Sequence, residues 1–183
     1  MKLVILDRDG VINEDSKEFI KTPAEWRPLP GSVEAIARLT AGGFTVTVAT
    51  NQSGLGRGLL DEATLASIHR KMLEAVTSAG GRIAAIHYCP HLPEDRCDCR
   101  KPQPGLLREI AERFHTSLRA VPVIGDSGRD MEAARRVGAR PMLVLTGSGR
   151  KALADLSDRE HLEVYDDLGA AADRLLAERS GAA

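Results

Sequence analysis

With 183 residues, 43% apolar and 28% charged side chains and a formal net charge of -1, the chain has the composition of one folded domain rather than a disordered tail or a membrane protein. Its Lys and Arg residues are scattered, so no basic footprint for nucleic acid stands out. The opening run Leu3-Val4-Ile5-Leu6 is too short for a signal peptide or a membrane span, giving the expectation of a cytoplasmic protein with no membrane partner.

In chain order, Lys2 to Asp7 reads as a buried strand rich in Val, Ile and Leu. Gly10 to Pro30 is irregular. Ser32 then caps a helix that buries Val33, Ile36, Ala37 and Leu39 and stops at Gly42-Gly43. A second strand runs from Phe44 to Thr50. Asp61 caps a helix with Leu65, Ile68, Met72, Leu73 and Val76 on one stripe, ended by Gly80-Gly81. Ile83 to Cys89, Val121 to Asp126 and Pro141 to Thr146 read as further strands, and Glu163 to Tyr165 as a short edge strand. Between them lie a helix carrying Leu106, Leu107, Ile110, Ala111 and Phe114, and one carrying Met131, Ala134 and Val137. Alternating strands and helices predict an α/β fold, a doubly wound parallel sheet with helices on both faces, formed by residues 1–183 as a single domain. In such sheets ligands bind at the carboxyl ends of the strands.

Polar groups collect at those ends. The first strand leads into Asp7-Arg8-Asp9-Gly10, the second into Thr50-Asn51-Gln52-Ser53-Gly54, and the fourth into Asp126-Ser127-Gly128-Arg129-Asp130. A bare pair of acids suits a turn as well as a site. A calcium loop is excluded because Ile12 stands where that loop needs glycine. Carboxylates with a hydroxyl and a lysine meet the needs of phosphate ester cleavage: a nucleophile, a proton donor, Mg2+ ligands and positive charge for the phosphate oxygens.

All three cysteines fall in one stretch, Cys89-Pro90-His91 followed after five residues by Cys97-Asp98-Cys99. An odd number of thiols so close together is a poor disulfide framework and fits a reducing compartment. Three sulfurs and an imidazole suit tetrahedral Zn2+, and a closed set of four favours a structural clip over a catalytic ion. A C-x-C redox pair leaves Cys89 and His91 without a task.

The ordered set Asp7 and Asp9, Thr50, Lys101, then Asp126 and Asp130 resembles the haloacid-dehalogenase-like phosphatases over residues 3–146. With the cysteine loop and Thr50-Asn51-Gln52-Ser53-Gly54, it is similar to the branch acting on heptose bisphosphates in lipopolysaccharide synthesis, and histidinol-phosphate phosphatases lie close by. The resemblance implies an Mg2+-dependent sugar-phosphate phosphatase without a large cap domain, monomeric, with a small-molecule substrate. It implies Asp7 as nucleophile, Asp9 as acid and base, and Thr50 and Lys101 on the phosphate. Mg2+ would be held by Asp7, Asp126 and the main-chain carbonyl of Asp9, with Asp130 orienting the cluster. Asn13, Asp15, Asn51, Gln52, Ser53, Arg57 and Arg100 would face the sugar phosphate, and Cys89, His91, Cys97 and Cys99 would hold Zn2+. Ser127 departs from the pattern, which has a basic residue there; Arg129 is the candidate replacement. The alternatives are histidinol phosphate, a polynucleotide 3'-phosphate disfavoured by the neutral net charge, and a catalytically idle zinc-clipped binding module.

Other motifs carry less. Gly147-Ser148-Gly149-Arg150-Lys151 lacks the complete phosphate-loop pattern and reads as a turn. Gly54-Leu55-Gly56-Arg57-Gly58 is no dinucleotide fingerprint and reads as a loop passing close to substrate. His69, His115 and His161 read as surface or packing residues, Trp26 and Tyr88 offer no nucleic-acid platform, and the role of His87 is open.

Overall fold

The computed structural model describes residues 1–157, 159 and 162–180; His161 lies outside them. Six strands form one parallel sheet: β1 (Lys2–Leu6), β2 (Phe44–Asn51), β3 (Ile83–Cys89), β4 (Pro122–Gly125), β5 (Arg140–Val144) and β6 (Glu163–Tyr165). Their order is β3-β2-β1-β4-β5-β6, so the winding reverses between β1 and β4. That reversal leaves a crevice at the carboxyl ends of the two strands, where both carry aspartates.

Alternation along β1 sorts the core into two layers. Val4 and Leu6 face the side covered by α1 (Ser32–Ala41), α2 (Glu62–Ser78) and α6 (Leu168–Ser180), packing with Ile36, Leu39, Ile68, Met72 and Leu175. Leu3 and Ile5 face the side of α3 (Gly105–Arg113) and α4 (Gly128–Arg136), packing with Leu106, Leu107, Ile110 and Ala134. Each layer keeps water from a strand that is apolar on both sides, the requirement of a parallel sheet. The expected strands therefore all form, the fourth and fifth shifted by a residue or two.

Helix starts follow expectation in part. Ser32 is the first residue of α1 rather than its cap; Gly31, at φ 75, holds the cap position, and Ser32 Oγ instead donates to Ile12 O at 2.6 Å. Asp61 does cap α2, accepting from Thr64 N at 2.8 Å. The Gly147 region is a turn that opens directly into α5 (Gly149–Asp155), which the sequence patterning left unassigned together with α6.

The irregular stretch after β1 is packed down rather than loose. Val11, Ile12, Ile20 and Trp26 are buried in the first core layer, and Lys71 of α2 donates to Pro23 O and Trp26 O at 2.6 and 2.9 Å. Asn13 bridges to Asp9 and Pro28, so the segment returns to the strand it left and stands beside the crevice. Arg140 ties the far edge together, pairing with Glu163 of β6 and Glu178 of α6.

Candidate active site

A cavity of about 390 Å³ opens at the carboxyl edge between β1, β2 and β4. Asp7, Asp9, Thr50, Lys101, Asp126 and Asp130 converge on its floor from four separate segments. Asp7 and Asp126 leave neighbouring strands, the Asp7 amide donating to Ile124 O at 2.9 Å. Asp130 stands one helical turn into α4 and returns to the same point. Carboxylate oxygens of Asp7, Asp126 and Asp130 all lie within 4.8 Å of one another.

Lys101 occupies the centre of this negative charge. It is 3% exposed, and its Nζ lies 3.1 Å from Asp7 Oδ1, 2.5 Å from Asp130 Oδ1 and 2.7 Å from the Ala49 carbonyl it donates to. Burial alone would depress its pKa, but Asp130 and Asp7 outweigh that and raise it, so the ammonium is charged. Asp130 is fully engaged elsewhere too: its Oδ2 accepts from Ser127 N at 3.0 Å and Ser127 Oγ at 2.5 Å. Ser127 thus anchors the start of α4 and turns its hydroxyl to Asp130.

One lysine does not balance three carboxylates, two of them buried and Asp7 half-buried. Burial first, opposed by Lys101 and reinforced by Asp130 and Asp9, pushes Asp7 up to about 7. Burial, then Asp7 and Asp130, pushes Asp126 up to about 8. A hard divalent cation relieves this repulsion, and the oxygen-only donor set suits Mg2+. Space for the Asp126 carboxylate is made by two glycines at positive φ, Gly10 (79) and Gly147 (54), where a Cβ would collide with Asp126 Oδ2. Ser148, beyond the fifth strand, donates its amide to that oxygen at 2.7 Å. Neither contact is visible in residue spacing.

Thr50, near the end of β2, and Gln52, just beyond it, are buried, the Gln52 amide donating to Thr50 Oγ1 at 2.9 Å. Asn51 grips the main chain of Lys101 in both directions, each hydrogen bond at 3.0 Å. Ser53 and Arg57 follow in the cavity wall, with Asp15, Ser16, Phe19 and Ile20 opposite. Asn13, expected to face the substrate, is wholly buried and outside that wall; its amide donates to Asp9 Oδ1 at 2.9 Å because the chain turns back on itself there.

The far rim is cationic. Arg57, Arg100 and Arg129 line it, and among the described residues none of the three pairs with a carboxylate. Arg57 lies over the Phe19 ring at 5.6 Å, and Arg100 donates to His91 O at 3.2 Å. Burial first, then Arg129 among other neighbours, holds the Arg100 pKa down, the electrostatic mark of cations crowded without a counterion.

The cysteine loop stands behind Arg100. Sulfur to sulfur distances among Cys89, Cys97 and Cys99 are 3.2 to 3.6 Å, and His91 Nδ1 lies 3.6 and 3.3 Å from Cys89 and Cys99. A tetrahedron of sulfurs bound at about 2.3 Å has edges of about 3.7 Å, so the four atoms could hold one soft ion. His87 is not part of the set; its Nδ1 is 3.1 Å from Glu109 of α3. His69, expected on the surface or in packing, is buried and meets Arg8.

The raised carboxylates set a pH dependence. Asp7 and Asp126 hold more protons in the folded chain than in the unfolded one above pH 3.8, so each costs stability as pH rises through its folded value. His69, held down to about 4, acts oppositely below its ordinary 6.5. Without divalent metal, the melting temperature should therefore fall between about pH 6.5 and pH 8, and Mg2+ should restore more at pH 8 than at pH 6.5. Thermal melts along that series check it; a rise with pH in the metal-free protein would refute it.

Residues 98–171 match the HAD-hydrolase-like family model. The chain is 56% identical over 178 residues to the D-glycero-beta-D-manno-heptose-1,7-bisphosphate 7-phosphatase of Bordetella bronchiseptica, covering 97% of this chain and 99% of that one. It is 52% identical over 174 residues to the enzyme of the same name from Pseudomonas aeruginosa, covering 95% and 97%. Among solved structures, D,D-heptose 1,7-bisphosphate phosphatase of B. bronchiseptica, complexed with magnesium and phosphate, superposes with a TM-score of 0.95 at 56% identity over 97% of this chain and 99% of that one. With four strand ends delivering the family's acids, threonine and lysine to one cavity, the chain belongs to the haloacid-dehalogenase-like phosphatases.

Proposed function

We propose that the protein removes the 7-phosphate of D-glycero-D-manno-heptose 1,7-bisphosphate through an aspartyl-phosphate intermediate, in the cytoplasm, on the route to lipopolysaccharide heptose. The observation that carries this reading is the polarity of the cavity: a floor of carboxylates around Lys101 and a rim of unneutralised arginines. A sugar with a phosphate at each end matches both.

In the first step Asp7 attacks phosphorus while the bond to the sugar oxygen breaks, and Asp9, exposed to the cavity over 22% of its side chain, gives that oxygen a proton. In the second, Asp9 takes a proton from water as the water oxygen attacks phosphorus and Asp7 leaves. Lys101 and Thr50 hold the phosphate oxygens, and Lys101 keeps Asp7 oriented through its 3.1 Å contact. Mg2+ held by Asp7, Asp126 and the Asp9 carbonyl would supply charge against the phosphate dianion. Asp130 fixes Lys101 and leaves the remaining ligand positions to others.

At the other end, Arg57, Arg100 and Arg129 receive the second phosphate. Arg129 supplies the positive charge absent at Ser127, since both open α4 beside the cavity. The same rim disfavours histidinol phosphate, which carries an ammonium group and an imidazole and has no second phosphate for the arginines. Zn2+ in the Cys89, His91, Cys97 and Cys99 set would brace the loop that presents Arg100 and Lys101. Its role is structural, because four protein ligands leave no open position.

Turnover of heptose bisphosphate, histidinol phosphate and an aryl phosphate with Mg2+ tests the function, with the bisphosphate expected to lead. Asp7→Asn should abolish turnover while the circular dichroism and melting profile persist; wild-type rates in that variant, or no turnover of the panel by the parent, would refute the assignment. Arg129→Ala should raise KM for the bisphosphate about tenfold, the loss of one charge-assisted hydrogen bond, and leave KM for the aryl phosphate within about twofold. Equal effects on both substrates would remove Arg129 from the second phosphate. Chelating Zn2+ should lower melting temperature and activity together, whereas withdrawing Mg2+ should stop turnover with little unfolding; a zinc-free protein of unchanged stability and rate would contradict the clip.

A further inference from the structure

Arg8 separates the two acids of Asp7-Arg8-Asp9, yet its side chain is wholly buried and takes no part in the cavity wall. Its guanidinium makes four hydrogen bonds. Nε donates to Asp9 Oδ1 at 2.9 Å, Nη2 to Asp9 Oδ2 at 3.0 Å and to Gln52 Oε1 at 3.1 Å, and Nη1 lies 3.2 Å from His69 Nε2. A guanidinium has no acceptor, so Nε2 accepts and the ring proton of His69 sits on Nδ1. Burial, then the charge of Arg8, holds His69 at about 4, so the ring stays neutral. Tyr88 meets it edge to face, centroids 6.0 Å apart.

Asp9 receives the other end of this network. Its Oδ1 accepts from Arg8 and from Asn13 at 2.9 Å, and its Oδ2 from Arg8 and from the Gln52 amide at 2.9 Å. Two donors on each oxygen fill the lone-pair positions of an ionised carboxylate. A substrate oxygen or water therefore reaches Asp9 only when one of these contacts yields. The two-pronged contact from Arg8 is the one set by a rigid planar fork, and among the described residues that fork has a single support outside the segments lining the cavity: His69, on α2.

We propose that His69 is a positioning residue for proton transfer: by accepting from Nη1 it fixes the plane of the Arg8 guanidinium, and through that fork the plane of the Asp9 carboxylate. The proposal rests on Asp9 as the acid and base of the reaction. It explains why a polar ring, rather than an aliphatic side chain, occupies a buried place on a helix otherwise packed by Leu65, Ile68, Met72 and Val76. Substrate affinity lies with other groups, so the effect falls on the chemical step.

Kinetics of His69→Leu, His69→Gln and Asp9→Asn on the full chain with Mg2+ and heptose bisphosphate test this. His69→Leu, which keeps bulk and loses the acceptor, is expected to lower kcat about ten- to a hundredfold with KM within about twofold. His69→Gln, which restores an acceptor near Nε2, should recover most of that loss. Wild-type kcat in His69→Leu, a loss carried by KM, or a His69→Gln variant as impaired as His69→Leu would overturn the proposal. If the substituted proteins do not fold, nitrogen-15 spectra of the imidazoles in the unaltered protein decide: a neutral ring protonated on Nδ1 supports the arrangement, and one protonated on Nε2 overturns it. Full activity in Asp9→Asn would instead refute the role of Asp9 itself. An inactive Asp9→Asn beside a normal His69→Leu would sink only the role of His69.

Discussion

Buried negative charge is the constraint around which this molecule is arranged. Asp7, Asp126 and Asp130 approach within 4.8 Å of one another at the seam of the sheet, and among the described residues Lys101 is the one cation paired with them. Carboxylates taken out of water are tolerated when paired and hydrogen-bonded, and are destabilising when they are not. Each surrounding feature answers that demand. Ser127 and Ser148 donate to Asp130 and Asp126, Gly10 and Gly147 clear room for Asp126, and the excess repulsion is left for a divalent cation. A site that is strained when empty and relieved by positive charge is disposed to bind a divalent cation, which in turn offsets the charge of a phosphate.

Lys101 can serve that centre only if its loop is held to a fraction of an ångström. Its main chain is fixed on one side by the Asn51 amide and leads on the other into the cluster of Cys89, His91, Cys97 and Cys99. A single ion in that cluster would tie residues ten apart in sequence to the end of β3, whose Cys89 is itself in the second core layer. In the proposed reading such a clip would position two cations, Lys101 into the floor and Arg100 onto the rim, while taking no part in the chemistry of the aspartates.

The two ends of the cavity divide the work of recognition. At the floor, positive charge is deeply buried and shared among carboxylates, which suits a group that changes its bonding. At the rim, Arg57, Arg100 and Arg129 have no carboxylate partner among the described residues, which suits a group that is bound and released unchanged. Asp9 stands between them, its carboxylate already surrounded by donors from Arg8, Asn13 and Gln52. In the proposed reaction, proton transfer at Asp9 would require one of these contacts to yield.

The sequence alone determined the strand ends and therefore which polar residues meet at the carboxyl edge of the sheet. Apolar runs terminating in Asp7, Thr50 and Asp126 can only be buried parallel strands, and a fold of that class brings their carboxyl ends to one edge. The cysteine cluster was equally legible, because four ligands in one loop meet without help from the rest of the chain. What tertiary structure decided were contacts between residues distant in sequence. The packing of α2 against the segment after β1 places His69 on Arg8, the loop after β5 brings Ser148 to Asp126, and the return of residues 13–28 to β1 buries Asn13 behind Asp9. Periodicity reports which face of an element is apolar, and so it registered His69 only as a surface or packing residue. The partner that gives a buried polar group its purpose is chosen by how elements dock, and that information is distributed over the whole core rather than held at the residue.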